Sequence, residues 1–175
     1  MEENVILVDK NDTQIGLMSK LDAHKKGILH RAFSVFILNN NNEIMLQKRA
    51  YNKYHSAGLW TNTCCSHQRE GENSIEAGKR RLEEEMGFET ELKIIASFIY
   101  KVKFENGLTE HELDYLLIGK YIKSPVINKQ EVADWKWMKI DLIADDIKLN
   151  PNNYTSWFKI IFDKFQNKIK IKWLK

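Results

Sequence analysis

The chain has 175 residues, 43% of them hydrophobic and 29% charged, which fits one domain spanning residues 1–175 with its own core. A net charge of +3 is too small to imply nucleic acid, although a few cations focused in a cleft can hold a phosphorylated small molecule. The N-terminal MEENVILVDKND does not read as a signal peptide, no apolar run reaches the roughly 20 residues a membrane span needs, and adjacent Cys64 and Cys65 build no disulfide framework, so a cytoplasmic protein is expected.

In chain order, Asn4–Val8 reads as a short strand, followed by a turn and a small hairpin arm. His24 and His30 flank a loop-like stretch before the apolar run Ala32–Leu38, a core strand. Four asparagines, Asn39 to Asn42, make a polar turn, and the strand Ile44–Lys48 returns as the second arm of a β-hairpin. Arg49, Lys53 and His55 then form a basic patch that is either a solvated face or an anion site.

Trp60–His67 alternates as an extended segment. Period two puts Cys65 and His67 on one face and turns Cys64 to the other, so Cys64 packs as a small apolar residue. Asn73–Met86 is the clearest helix. Asn73 and Glu76 make a capping box, Gly87 suits the C-terminal cap, and Ile75, Gly78 or Lys79, Leu82 and Met86 define the buried stripe. Glu83, Glu84 and Glu85 oppose the helix dipole in the last turn, a repulsion that a metal ion would offset.

Lys93–Lys103 and Glu112–Ile122 are strands joined at Glu105-Asn106-Gly107. Glu110 and Glu112 share a face there, which calls for a shared proton, a metal or a cationic partner. Trp135–Met138 is a further strand and Ile140–Ile147 a helical segment. Tyr154–Phe165 is an amphipathic helix with Trp157, Phe158, Ile161, Phe162 and Phe165 inward, and the tail NKIKIKWLK is an edge strand or a frayed end. Strands interleaved with helices predict an α/β (α+β) fold with a central mixed sheet between helices.

The stretch REGENSIEAGKRRLEEEMGF resembles the Nudix box, G-x5-E-x7-R-E-U-x-E-E-x-G-U. Glu72, Arg80, Leu82, Glu84, Glu85, Gly87 and Phe88 fall on its positions, whereas Ser66 replaces the leading glycine and Arg81 the glutamate after the arginine. Together with WTNTCCSH, the His24–His30 spacing and Glu110-His111-Glu112, the chain is similar over nearly its whole length to the type I isopentenyl-diphosphate Δ-isomerases of the Nudix superfamily. Gln68 stands where that family has proline after the motif histidine.

The resemblance implies a Nudix-like α/β/α sandwich. It also implies a metal site of His24, His30, His67, Glu110 and Glu112 holding Mn2+, Zn2+ or Mg2+, and a Mg2+ on Glu85 that bridges to a diphosphate. Cys65 and Glu112 would be the proton-transfer pair, Tyr100 would assist them, and Trp157 would face the hydrocarbon. Lys20, Arg49, Lys53 and Arg81 would grip the diphosphate. The implied reaction interconverts isopentenyl and dimethylallyl diphosphate through a carbocation-like intermediate, in a monomer or weak dimer that needs neither nucleic acid nor membrane. A Nudix hydrolase of nucleoside or prenyl diphosphates and a non-catalytic metal or diphosphate binder are the competing readings, and Arg81 in place of a carboxylate weighs against hydrolysis.

Overall fold

The computed structural model describes residues 3–53 and 55–173, with the side chains of 171–173 left aside. Among these residues nine strands form one mixed sheet: β1 (Asn4–Val8), β2 (Gln14–Ser19), β3 (His30–Leu38), β4 (Glu43–Arg49), β5 (Trp60–Thr61), β6 (Cys64–Ser66), β7 (Leu92–Lys103), β8 (Thr109–Lys120) and β9 (Val132–Lys139). Four helices accompany them: α1 (Lys20–Lys26), α2 (Ser74–Met86), α3 (Ile140–Leu149) and α4 (Ser156–Trp173). Among the described residues, no helix is long and apolar enough to cross a membrane.

Alternation along the strands sorts the core into two layers. Phe33, Val35 and Ile37 of β3 and Leu117 of β8 pack with Ala77, Leu82 and Met86 of α2. Phe36 and Leu38, with Leu116 and Ile118, pack on the opposite face with Ile143 of α3 and with Trp157, Phe158, Ile161 and Phe162 of α4. The expected α/β/α sandwich is therefore present.

The Asn39–Asn42 turn behaves differently from a simple hairpin. β3 and β4 share only the Leu38–Ile44 pairing before they diverge. From there β4 runs antiparallel to β9, while β3 runs parallel to β8 from His30–Glu112 to Leu38–Lys120. Thr63 fills the opening wedge. Its backbone N–H donates to Val35 O at 3.1 Å and its hydroxyl to Met45 O at 2.6 Å, and its Oγ1 accepts from Ile37 N–H at 2.9 Å. Asn62 Nδ2 adds a bond to Cys64 O at 2.7 Å. These buried bonds satisfy backbone groups that the separated strands leave unpaired, and they seat β6 against β3.

Helix α2 carries the expected capping box, and Gly87 closes it with φ +71°. Of its expected stripe, Gly78, Leu82 and Met86 are buried and Ala77 joins them, whereas Ile75 is half-buried and Lys79 pairs outward with Glu91 at 2.6 Å. Gly78 allows close helix–sheet packing, because an added Cβ would meet Leu117 Cδ1 at 2.7 Å. His24 lies in α1 rather than a loop. The tail reading also changes, since the helix begun at Ser156 continues to Trp173 and buries Ile169. Ile161, Phe165 and Ile169 keep a four-residue spacing along the core side, which outweighs the two-residue alternation of NKIKIKWLK.

Candidate active site

The α4-facing side of the sheet is apolar at Leu116 and Ile118 but polar near the start of β3 and β8. Register creates the change. His30 pairs with Glu112 across β3–β8, and Glu112 pairs with Tyr100 across β8–β7, so three neighbouring strands present one transverse row. Ser34 pairs with Cys65, bringing the thiol beside that row. Cys64 is fully buried in the α2-side cluster, as alternation requires, while Cys65 is half-buried and lines the pocket with His67.

His24, His30, His67 and Glu112 are all buried, and one ligand atom from each lies within 4.8 Å of the others. His24 Nδ1 lies 2.6 Å from Lys20 O and His30 Nδ1 2.8 Å from Ile28 O. Both backbone oxygens can only accept, so each Nδ1 donates and each Nε2 keeps its lone pair for the cluster. Glu112 Oε1 lies 3.1, 3.5 and 3.9 Å from Nε2 of His67, His30 and His24. Burial pushes His67 down to about 3 and lowers His24, so both imidazoles are neutral. Neutral imidazoles with a carboxylate, oriented by backbone carbonyls, are the donor set of a divalent-cation site. His30 Nε2, buried without a hydrogen-bond partner, fits the same use.

Glu110 stands beside this group of four rather than within it. Tyr100 Oη lies 2.6 Å from Glu112 Oε2 and 3.2 Å from Glu110 Oε2. Burial, reinforced by the Glu112 charge, pushes Glu110 well above the usual carboxylate range. Burial would raise Glu112 as well, but the adjoining His30 imidazole and the hydrogen bond with His67 overrule it and hold Glu112 well below that range. The two neighbouring carboxyls are thus driven apart in acidity, Glu110 upward and Glu112 downward. Burial likewise pushes the Cys65 thiol up to about 12, with Arg49 pulling it the other way.

The same pocket is lined further along by Lys20, Arg49, Lys53, Arg81 and Glu85. Arg81 Nε donates to buried Glu85 Oε1 at 3.0 Å, its Nη1 to Glu84 at 2.8 Å and its Nη2 to Glu131 at 3.1 Å. Gln47 Nε2 donates to the other Glu85 oxygen at 2.8 Å. The repulsion at the end of α2 is thus offset by arginine within the chain itself. The Arg49 guanidinium lies over the Trp157 ring at 5.2 Å, and His55 meets that ring edge-on at 5.8 Å.

Every site residue picked from the sequence lines this pocket or, like His30, belongs to the adjoining cluster. Gln47 and Glu131 were missed. A buried glutamine ending the apolar run of β4 is a readable signal, whereas nothing local marks Glu131.

A NUDIX domain model matches residues 28–158. The chain is 50% identical over 163 residues to isopentenyl-diphosphate Delta-isomerase 2 of Photorhabdus laumondii, covering 93% of this chain and 92% of that one. It is 46% identical over 164 residues to isopentenyl-diphosphate Delta-isomerase 2 of Aromatoleum aromaticum, covering 94% and 87%. Among solved structures, DR0079 of Deinococcus radiodurans superposes with a TM-score of 0.75 over 91% of this chain and 97% of that one. At 16% identity that likeness concerns the fold alone.

Proposed function

The chain belongs to the Nudix superfamily and, within it, to the type I isopentenyl-diphosphate Δ-isomerases, and on that premise we propose how its pocket interconverts isopentenyl and dimethylallyl diphosphate. The enzyme is an isomerase that moves a C=C bond, so one proton is added to the terminal carbon and another is lost two carbons away. The observation carrying this reading is the convergence of Cys65, Tyr100, Glu110 and Glu112 on one pocket whose other residues include Lys20, Lys53 and Arg81.

Cys65 and Glu112 form the proton-transfer pair. A protonated thiol and an ionised carboxylate are one full and one empty proton site, which a reversible exchange requires. Tyr100 holds Glu112 through its hydroxyl and links it to Glu110. His24, His30, His67 and Glu112, joined by Glu110 beside them, would hold Mn2+, Zn2+ or Mg2+, Glu110 entering as the ionised carboxylate, and Glu85 would hold a Mg2+ accompanying the diphosphate; such ions would supply positive charge that tunes the acidity of Glu112 and neutralises the phosphoryl groups. Buried Trp157 provides a π face that favours positive charge developing on the tertiary carbon and helps keep water away from it. Lys20, Arg49, Lys53 and Arg81 hold the diphosphate, which does not react. Arg81 ties down Glu84 and Glu85, the carboxylates a Nudix hydrolase would need to activate water.

One domain of 175 residues working in the cytoplasm as a monomer or weak dimer, on a small diphosphate and without nucleic acid or membrane, suits this reaction; the two free cysteines support that compartment. Proton NMR in D2O with Mg2+ and isopentenyl diphosphate tests the reading. Dimethylallyl diphosphate carrying deuterium is expected, and a fully metallated protein that leaves the substrate unchanged refutes it.

A further inference from the structure

We propose that Glu131 is a positioning residue that stands in for a phosphoryl oxygen in the resting pocket and so selects diphosphates over sulfate and monophosphoryl anions. The inference rests on the diphosphate-binding part of the isomerase reading.

One oxygen, Glu131 Oε2, contacts both Lys53 Nζ and Arg81 Nη2, the latter at 3.1 Å. These are the two charge-assisted bonds that a non-bridging phosphate oxygen would make with the same cations. Both cations and Glu131 line the pocket, and the Glu131 side chain is 27% exposed, so an incoming anion can reach the position it holds. The carboxylate serves two ends. It keeps two like-charged heads together before substrate arrives, and any anion bound there must displace it or tolerate its charge.

The backbone around Glu131 is built to aim it. Ala50 N–H donates to Glu131 O at 3.0 Å, next to Arg49, and Glu131 N–H donates to Asn128 O at 2.9 Å. The same loop closes the end of α2, where Val126 N–H donates to Met86 O and Asn128 N–H to Glu85 O, each at 2.9 Å. Segment 126–131 is therefore anchored both to the helix carrying Arg81 and Glu85 and to the strand end carrying Arg49. A fixed carboxylate there resists anions in proportion to how little attraction they bring. A diphosphate, whose second phosphoryl group can meet Lys20 or Arg49 elsewhere in the pocket, overcomes that resistance where sulfate or phosphate does not.

The experiment compares wild type, Glu131→Gln and Glu131→Asp by calorimetric titration with inorganic phosphate, sulfate and Mg2+-pyrophosphate. Glu131→Gln keeps the size and removes the charge. Its affinity for phosphate and sulfate is expected to rise about tenfold, and that for Mg2+-pyrophosphate by less, as removal of one charged competitor predicts. Glu131→Asp, which keeps the charge, should stay near wild type in the ratio of the two affinities. Unchanged affinities in Glu131→Gln, or a parallel loss for all three anions, would overturn the proposal by reducing Glu131 to scaffold. Because the titrations read anion binding without turnover, a protein that discriminates these anions but fails to isomerise would sink the reaction and leave this inference standing.

Discussion

Arg81→Ala exposes the energetic centre of the pocket. Arg81 is the cation shared by Glu84, Glu85 and Glu131, and the Glu85 side chain is only 6% exposed. Removing one partner of a buried ion pair costs roughly 3–5 kcal/mol when the other charge stays buried. Gln47 still donates to Glu85 at 2.8 Å, and Arg81 itself is 16% exposed, which lowers the expected loss. A cost of about 2–3 kcal/mol follows, or a melting temperature lower by roughly 5–10 °C for a chain of this size. Thermal unfolding of metal-free protein at pH 7.5 measures it. Adding Glu85→Gln to Arg81→Ala should recover part of the loss, because the orphaned charge is gone. In turnover assays the lost bidentate grip should lower kcat/KM by about ten- to a hundredfold. If Arg81→Ala melts with wild type, the Arg81–Glu85 pair does not carry the charge balance assigned to it.

Cys65→Ala should nearly abolish isomerisation while leaving the melting temperature close to wild type, because Cys65 faces the pocket. Cys64→Ala should keep most activity and lose about 1 kcal/mol from the α2-side core, measured by urea unfolding. Burial holds His55 and His67 at about 3 and lowers His24, below the roughly 6.5 of an unfolded histidine. The unfolded chain therefore binds more protons, and this stabilisation, complete above about pH 6.5, is lost as pH falls toward 3 at up to ~1.4 kcal/mol per pH unit per histidine. Melting of chelator-treated protein should fall steeply from about pH 6.5 downward, and a flat profile there would contradict neutral burial. Gly87→Ala puts a Cβ 2.4 Å from Val126 O at φ +71° and should cost about 2 kcal/mol or more in urea unfolding, loosening the loop that carries Glu131.

Local chemistry made much of this protein legible from its residues alone. The capping box at Asn73 and Glu76 and the left-handed cap at Gly87 depend on neighbours within one turn. The separation of Cys64 from Cys65 needs only the period of a strand. The order of histidines, cysteines and paired glutamates along the chain marks the family without reference to the fold. What the residues could not say is which strand lies beside which. The row His30–Glu112–Tyr100 exists because β3, β8 and β7 align in one particular register, in which His30 meets a residue some 80 positions away. The Thr63 wedge that seats Cys65 depends on β3 and β4 parting after a turn that read as an ordinary hairpin. Glu131 has no neighbour in sequence to betray it, and its partners Lys53 and Arg81 come from two other segments. Sequence determined the chemical inventory and the local elements, since their forces act within a few residues. Tertiary structure alone decided which charges meet, because burial and Coulomb energy depend on distances that only the packed sheet and helices set.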